Sequence, residues 1–264
     1  MLFTESHMGE FKSWNAFGLF SREITRQRRY VRTSESEKFL SAVASTCKVR
    51  LRPIPAGQTF WRAQLGNEWR RREEHGFEEA APFGPERMKP LNDRASEGRA
   101  NPKGIPCLYL STTASAALSE VRPWIGALVS LAQFRIVRQL IVVDCSVLHD
   151  QYFNLAFLNR KFDEPISSEK FDEIVWAAID RAFAEPTTKS DDIADYAATQ
   201  TLTELFKSEG YDGVAYKSAF GHDGYSLALF DLTSAKQING SLYEAKAIEF
   251  KLEEVGNPYF TPDS

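Results

Sequence analysis

Four stretches of this 264-residue chain carry side chains with chemistry to offer: FWRAQ (60–64), GRANPKGIPCLYLSTTASAALSEVRPW (98–124), DGVAYKS (212–218) and GYSLALFD (224–231). The second is the most informative. It sets Arg99 in a turn rich in Gly and Pro, Tyr109 on a short apolar run, and Glu120 towards the end of a helical pattern. An arginine supplies a planar fork of donors matched to phosphate oxygens. A tyrosine supplies a flat face and a hydroxyl. A glutamate can bond sugar hydroxyls or sit beside a developing oxocarbenium cation. The three together suit a phosphorylated sugar that carries a good leaving group. Each also has an ordinary reading, as a solvated loop cation, a core tyrosine and an exposed helix-end carboxylate.

The elements that must position these residues follow from periodicity and punctuation. Phe11, Trp14, Phe17, Phe20 and Ile24 recur at three- or four-residue steps and predict one apolar helical face, followed by a basic cluster, Arg26 to Arg32. Ser34 and Glu37 have capping-box spacing ahead of a helix that buries Phe39, Leu40, Val43 and Ala44, and Pro53, Pro55 and Gly57 break the chain after it. Residues 58–64 read as a strand, and 66–106 as a long charged loop with little apolar periodicity, of the kind that is often functional. Residues 107–111 read as a short buried strand, and Thr113 as the cap of a helix holding Ala116, Ala117, Leu118 and Val121. Strands are predicted at LVSLAQFRI and QLIVVDCS, helices over 168–184 and 192–208 with Gly210 as a stop, and strands again at GVAYKS, YSLALFD and AKQI. The segment 243–255 fits strand or helix. This is an α+β pattern, and no GxGxxG links a strand to a helix, so a Rossmann dinucleotide fold is not supported.

Composition narrows the class further. With 43% hydrophobic and 26% charged residues the chain is ordinary globular protein. It has no run of eighteen apolar residues and no basic start leading into an apolar stretch, so neither a membrane span nor a secretory signal is expected, and the expected location is cytoplasmic. Cys47, Cys107 and Cys145 are sparse and odd in number, which fits reduced thiols. Scattered histidines and the lack of a CxxC pair predict no metal site. A net charge of −4 disfavours general nucleic-acid binding.

The run GRANPKGIPCLYLSTTASAALSEV resembles the central motif of RES domains. There an Arg-bearing Gly-rich turn leads to a strand with Tyr and then to a helix ending Ala-x-x-Glu-Val. The corresponding elements are Gly98-Arg99, Leu108-Tyr109-Leu110 and Ala117 to Val121. The family's early aromatic-Arg pair is similar to Trp61-Arg62, and its carboxy-terminal motif to Tyr211-Asp212-Gly213 with Tyr216-Lys217-Ser218. Order and spacing agree over residues 58–239. The chain departs at Ala100, where many members have an aromatic, and in three stretches longer than the minimal domain: the first 55 residues, 66–97 and 145–195.

The resemblance implies an ADP-ribosyltransferase-like fold of packed β-sheets with surrounding helices, here with a helical amino-terminal extension (1–55) ahead of the NAD-cleaving domain (56–264). It implies an NAD-degrading enzyme, an NAD phosphorylase or glycohydrolase acting at the nicotinamide–ribose bond. The setting would be that of a bacterial toxin or defence effector, with an antitoxin or regulatory protein as partner. NAD would be substrate rather than cofactor, with inorganic phosphate, water or a protein side chain as acceptor. Carried over, Arg62 and Arg99 would hold the pyrophosphate or incoming phosphate, Tyr109 would stack on the nicotinamide or its ribose, Glu120 would stabilise positive charge on the ribose, and Ser218 would bond the nucleotide. Two alternatives stay open: ADP-ribosylation of a macromolecule, and a non-catalytic interaction module that docks partners through the amino-terminal helices.

Overall fold

The structure, a computed structural model, describes residues 10–71, 76–91, 94–158, 166–185, 193–217, 224–249 and 256. Among the described residues, five α-helices span Ala16–Arg26 (α1), Ser34–Thr46 (α2), Ala114–Glu120 (α3), Phe171–Ala184 (α4) and Ala197–Ser208 (α5). Eleven strands run Leu51–Ile54 (β1), Thr59–Leu65 (β2), Glu68–Arg71 (β3), Glu78–Ala81 (β4), Leu108–Ser111 (β5), Leu128–Ile136 (β6), Leu140–Cys145 (β7), Gly213–Lys217 (β8), Tyr225–Leu229 (β9), Ala235–Gln237 (β10) and Ser241–Glu244 (β11). The fold is α+β.

Nine strands form one hydrogen-bonded sheet in the order β1-β7-β8-β9-β5-β2-β6-β10, with β11 also on the outer edge of β6. Among the described strands only β7 and β8 pair in parallel, and α4 and α5 lie in the long connection between them. Strand alternation gives the sheet two apolar faces. Ile54, Leu140, Val142, Ala215, Leu227 and Leu229 from one half share a core with Phe60, Leu108, Leu110, Phe134 and Ile136 from the other. The single sheet therefore folds back so that its halves pack on each other, which is how packed β-sheets arise here. The opposite face of β7, β8 and β9 offers Val143, Cys145, Val214, Tyr216 and Ala228 to the helices. The opposite face of β2 and β6 offers Ala63, Val129 and Leu131 to α3.

The amino-terminal helices belong to that helical layer. Phe17, Phe20 and Ile24 of α1 and Phe39, Leu40 and Val43 of α2 share a core with α4 and α5, and the Phe20 and Phe39 rings stack 4.4 Å apart. Phe11 is also buried, but α1 starts only at Ala16, so the apolar stripe is helical over its second half alone. Helix α2 is capped by Thr33, one residue ahead of the predicted Ser34: its Oγ1 accepts from Ser36 N and donates to Glu23 on α1. That second bond ties the cap of α2 to α1. Strand β1 pairs with β7, so the chain on both sides of position 55 lies in the same sheet.

The charged stretch 66–106 contains a hairpin that its composition concealed. Strands β3 (EWRR) and β4 (EEAA) have no apolar alternation, and they pair with Arg70 opposite Glu79 and Arg71 opposite Glu78. Opposite charges on facing residues stabilise such a ribbon.

Candidate active site

The register lays one row of side chains across four strands. Tyr216 of β8 pairs with Ser226 of β9, Ser226 with Ser111 of β5, and Ser111 with Trp61 of β2. Paired residues point to the same face, so the four form the floor of a cleft, with Tyr109 two residues along β5. The cleft has a volume of about 610 Å³, well within the range of small-molecule sites. Strands β2 and β5, joined by the single Trp61–Ser111 pair, both line it. Ser226 is buried, and its hydroxyl lies 3.3 Å from that of Ser111.

One wall is the turn that carries Arg99. The α5 side chains clamp it: Thr199 Oγ1 donates to Arg99 O at 2.8 Å, and Gln200 Nε2 lies 2.9 Å from Gly98 O, 3.1 Å from Asn101 O and 3.0 Å from the Glu97 carboxylate. Buried Asn101 donates to Ser96 O and Ile105 O, which closes the turn on itself. The Tyr109 hydroxyl fits into it, donating to Asn101 Oδ1 at 2.6 Å and accepting from Ala100 N at 3.0 Å. Burial raises the Tyr109 phenol well above its ordinary pKa, so it stays a protonated donor. The Arg99 guanidinium stands 5.3 Å over the Tyr216 ring, and its terminal nitrogens donate to Phe183 O and Glu185 O at the end of α4.

Gly98 is required by space. A Cβ there would lie 2.5 Å from the Tyr109 hydroxyl and 2.9 Å from Asn101 Oδ1. Gly98→Ala is therefore expected to cost about 1–3 kcal/mol, the usual scale of overpacking. Urea denaturation of the single and double variants checks the cause. In a Tyr109→Phe background the increment should shrink, because the hydroxyl that clashes is gone. An undiminished increment would place the strain elsewhere.

Helix α3 also lines the cleft. Thr113 Oγ1 accepts from Ala116 N and caps the helix, while Ala117 is buried with Ala63, Val129 and Leu131. This seats α3 over β2 and puts Glu120, its last residue, at the cleft with an exposed side chain. Glu120 acts at a distance on Tyr216 in the floor. Burial raises the Tyr216 phenol, the Arg99 charge opposes that rise, and the Glu120 charge adds to it.

The structure brings Arg62, Arg99, Tyr109 and Glu120 to one cleft. Ser218 lies outside the described residues. Arg62 alternates with Trp61 and Ala63 along β2. Its Nε donates to Met88 O at 2.7 Å and a terminal nitrogen to Tyr109 O at 3.1 Å. Burial lowers its pKa to about 10, so it remains cationic at neutral pH. Cys107 also lines the cleft, but burial pushes its thiol to about 11, far from a thiolate. Sequence reasoning did not single out Gln200, Asn101, Glu97 or Ser226. Ser226 left a trace, as a polar residue alternating with Leu227 and Leu229 on an apolar strand.

A family model for the RES domain matches residues 59–243. The chain belongs to the RES domain family. The match runs from β2 into β11 and contains all four strands of the cleft floor and both of its walls. Among solved structures, this RES protein is similar to the M. tuberculosis MbcT-MbcA toxin-antitoxin complex, at 14% identity and a TM-score of 0.42, over 76% of this chain and 92% of that one. No curated protein matches. No helix among the described residues is long and apolar enough to cross a membrane.

Proposed function

We propose that this RES protein cleaves the nicotinamide–ribose bond of NAD. The observation that carries the reading is that Glu120 and Arg99 line one cleft, floored by Tyr216, Ser226, Ser111 and Trp61. The nicotinamide ring of NAD is cationic. When its bond to the ribose breaks, the electron pair goes to the ring nitrogen and nicotinamide leaves neutral, without a general acid. Positive charge moves to the ribose, where the Glu120 carboxylate stabilises it. Tyr109 and Trp61 offer flat faces for the ring or the sugar. Phosphate attack on the exposed carbon gives a phosphorylated ADP-ribose; water attack gives ADP-ribose and a proton. Cationic side chains in the lining favour phosphate over water as acceptor. In a cell such NAD loss is toxic, and the family resemblance extends the reading to a toxin or defence effector restrained by a partner protein.

The experiment is incubation of purified protein with NAD, with and without phosphate, followed by chromatography. Nicotinamide release is expected, faster with phosphate. Folded protein that leaves NAD intact in both buffers would refute the reading. Label found on a macromolecule, with none free in solution, would shift it to ADP-ribosyl transfer.

A further inference from the structure

Water attacks a sugar carbon well only when a base takes its proton, whereas phosphate is already an anion and needs no base. Hydrolysis in this cleft therefore asks for a proton acceptor. Among the described residues that line the cleft there is no histidine and no aspartate, and the carboxylates are Glu97 and Glu120. The other polar groups are cations, phenols, hydroxyls, amides and a thiol. Burial raises the Tyr109 and Tyr216 phenols and the Cys107 thiol, so these keep their protons at neutral pH. Glu120 already has a task, to stabilise positive charge on the ribose. Taking up a proton would cancel its negative charge just as the ribose becomes positive. That leaves Glu97 as the acceptor.

The fold gives Glu97 a direction. Its carboxylate accepts from Gln200 Nε2 at 3.0 Å, and Gln200 is buried on α5. The main chain is tied on both sides of it. Asn101 Nδ2 donates to Ser96 O at 2.9 Å, and Gly98 N donates to Asn101 O at 3.0 Å. A glutamate on a free loop spreads over many rotamers, and ordering it costs entropy at the moment of use. Here that cost is met on folding, by a buried amide and a closed turn. Glu97 is itself only partly buried, so solvent reaches it.

We infer that Glu97 is the general base that activates water in this cleft, and that Gln200 is its positioning residue. The Glu97 carboxylate takes a proton from water, and the water oxygen bonds to the ribose carbon. The bond from that carbon to nicotinamide breaks, and its electron pair goes to the ring nitrogen. ADP-ribose and neutral nicotinamide leave, and Glu97 returns the proton to solvent. The assignment rests on the proposed reading of the cleft as an NAD-cleaving site and divides its chemistry between two carboxylates.

The test is chromatography of the products formed from NAD by the full chain, in phosphate buffer and, separately, in phosphate-free buffer with azide. Both anions attack without a base, so each competes with water and leaves its own adduct. Glu97→Gln keeps an acceptor for the Gln200 amide and loses the base. The ratio of ADP-ribose to either adduct is expected to fall by about a hundredfold or more, the scale of general-base catalysis. That ratio does not depend on how much of the protein is folded, so a merely structural role would not move it. Glu120→Gln should slow all products together. Gln200→Met should lower the ratio in the same direction, and adding it to Glu97→Gln should lower it no further, because both changes act through one carboxylate. An unchanged ratio in Glu97→Gln overturns the base, and so does a wild type that cleaves NAD but forms no ADP-ribose. If the wild type forms ADP-ribose alone, Glu97→Ala decides: azide should restore its nicotinamide release, and no restoration overturns the base. An unchanged ratio in Gln200→Met, or a further fall in the double variant, overturns the role given to Gln200. NAD left intact by the wild type in both buffers overturns the reading of the cleft itself, and the base with it.

Discussion

Glu120→Gln is expected to slow NAD cleavage by about a hundred- to a thousandfold, the usual effect of removing one preorganised electrostatic partner. The melting temperature should not move. The side chain is exposed, and α3 is held without it by the Thr113 cap and by Ala117 packed on Ala63. Glutamine keeps the size and one acceptor but loses the charge. NAD already carries a positive ring, so some affinity falls too, and the larger loss belongs to the transition state, where the charge reaches the ribose. Arg99→Ala should differ by weakening ADP-ribose binding as well, since it removes a cation from the cleft before reaction begins. Turnover of Glu120→Gln at the wild-type rate, in folded protein, would take Glu120 out of the mechanism.

Why the place of Glu120 at a helix end was legible and its surroundings were not is a matter of range. The Tyr109 strand, the Thr113 cap and the helix to Glu120 are written in one short stretch, where periodicity and capping act locally. The floor is a different kind of object. Tyr216, Ser226, Ser111 and Trp61 are neighbours only because of the register of β8, β9, β5 and β2, which tertiary packing sets. Gln200 is harder still. It sits within an amphipathic helix, and nothing local marks that its amide faces the Gly98 turn. The face of Arg62 could have been read, since FWRAQ alternates and Phe60 is core. Its partners, carbonyls of a loop and of a neighbouring strand, could not. The β3–β4 hairpin escaped because its pairing is by charge rather than by apolar alternation.

Arg50→Met is expected to destabilise the protein by about 3–5 kcal/mol near neutral pH, the cost of leaving a buried charge unpaired. Arg50 precedes β1 and joins the amino-terminal helices to the body. Its side chain is 9% exposed and that of Asp180 on α4 is 0% exposed, with one Arg50 nitrogen 2.9 Å from both carboxylate oxygens. The same guanidinium reaches Asp144 O at 3.2 Å and lies 4.4 Å over the Trp176 ring, while Asp180 also accepts from Leu148 N at 2.8 Å. Burial raises the Asp180 carboxyl from 3.8 to about 6, and Arg50 is the strongest influence pulling it back down. A carboxyl whose folded pKa lies above its unfolded value contributes its full stability below the unfolded value, and loses it as pH rises through the folded one. Removing Arg50 moves the folded value higher still. The variant should therefore suffer most near pH 7 to 8 and least at about pH 5 or below, where Asp180 can take up a proton instead of needing a partner. Urea denaturation at both ends of that range measures the difference. Adding Asp180→Asn to Arg50→Met should recover much of the loss, because the orphaned charge goes with it. An equal penalty at both pH values, or no recovery in the double variant, would show that Arg50 stabilises through its packing on Trp176 and not through the pair.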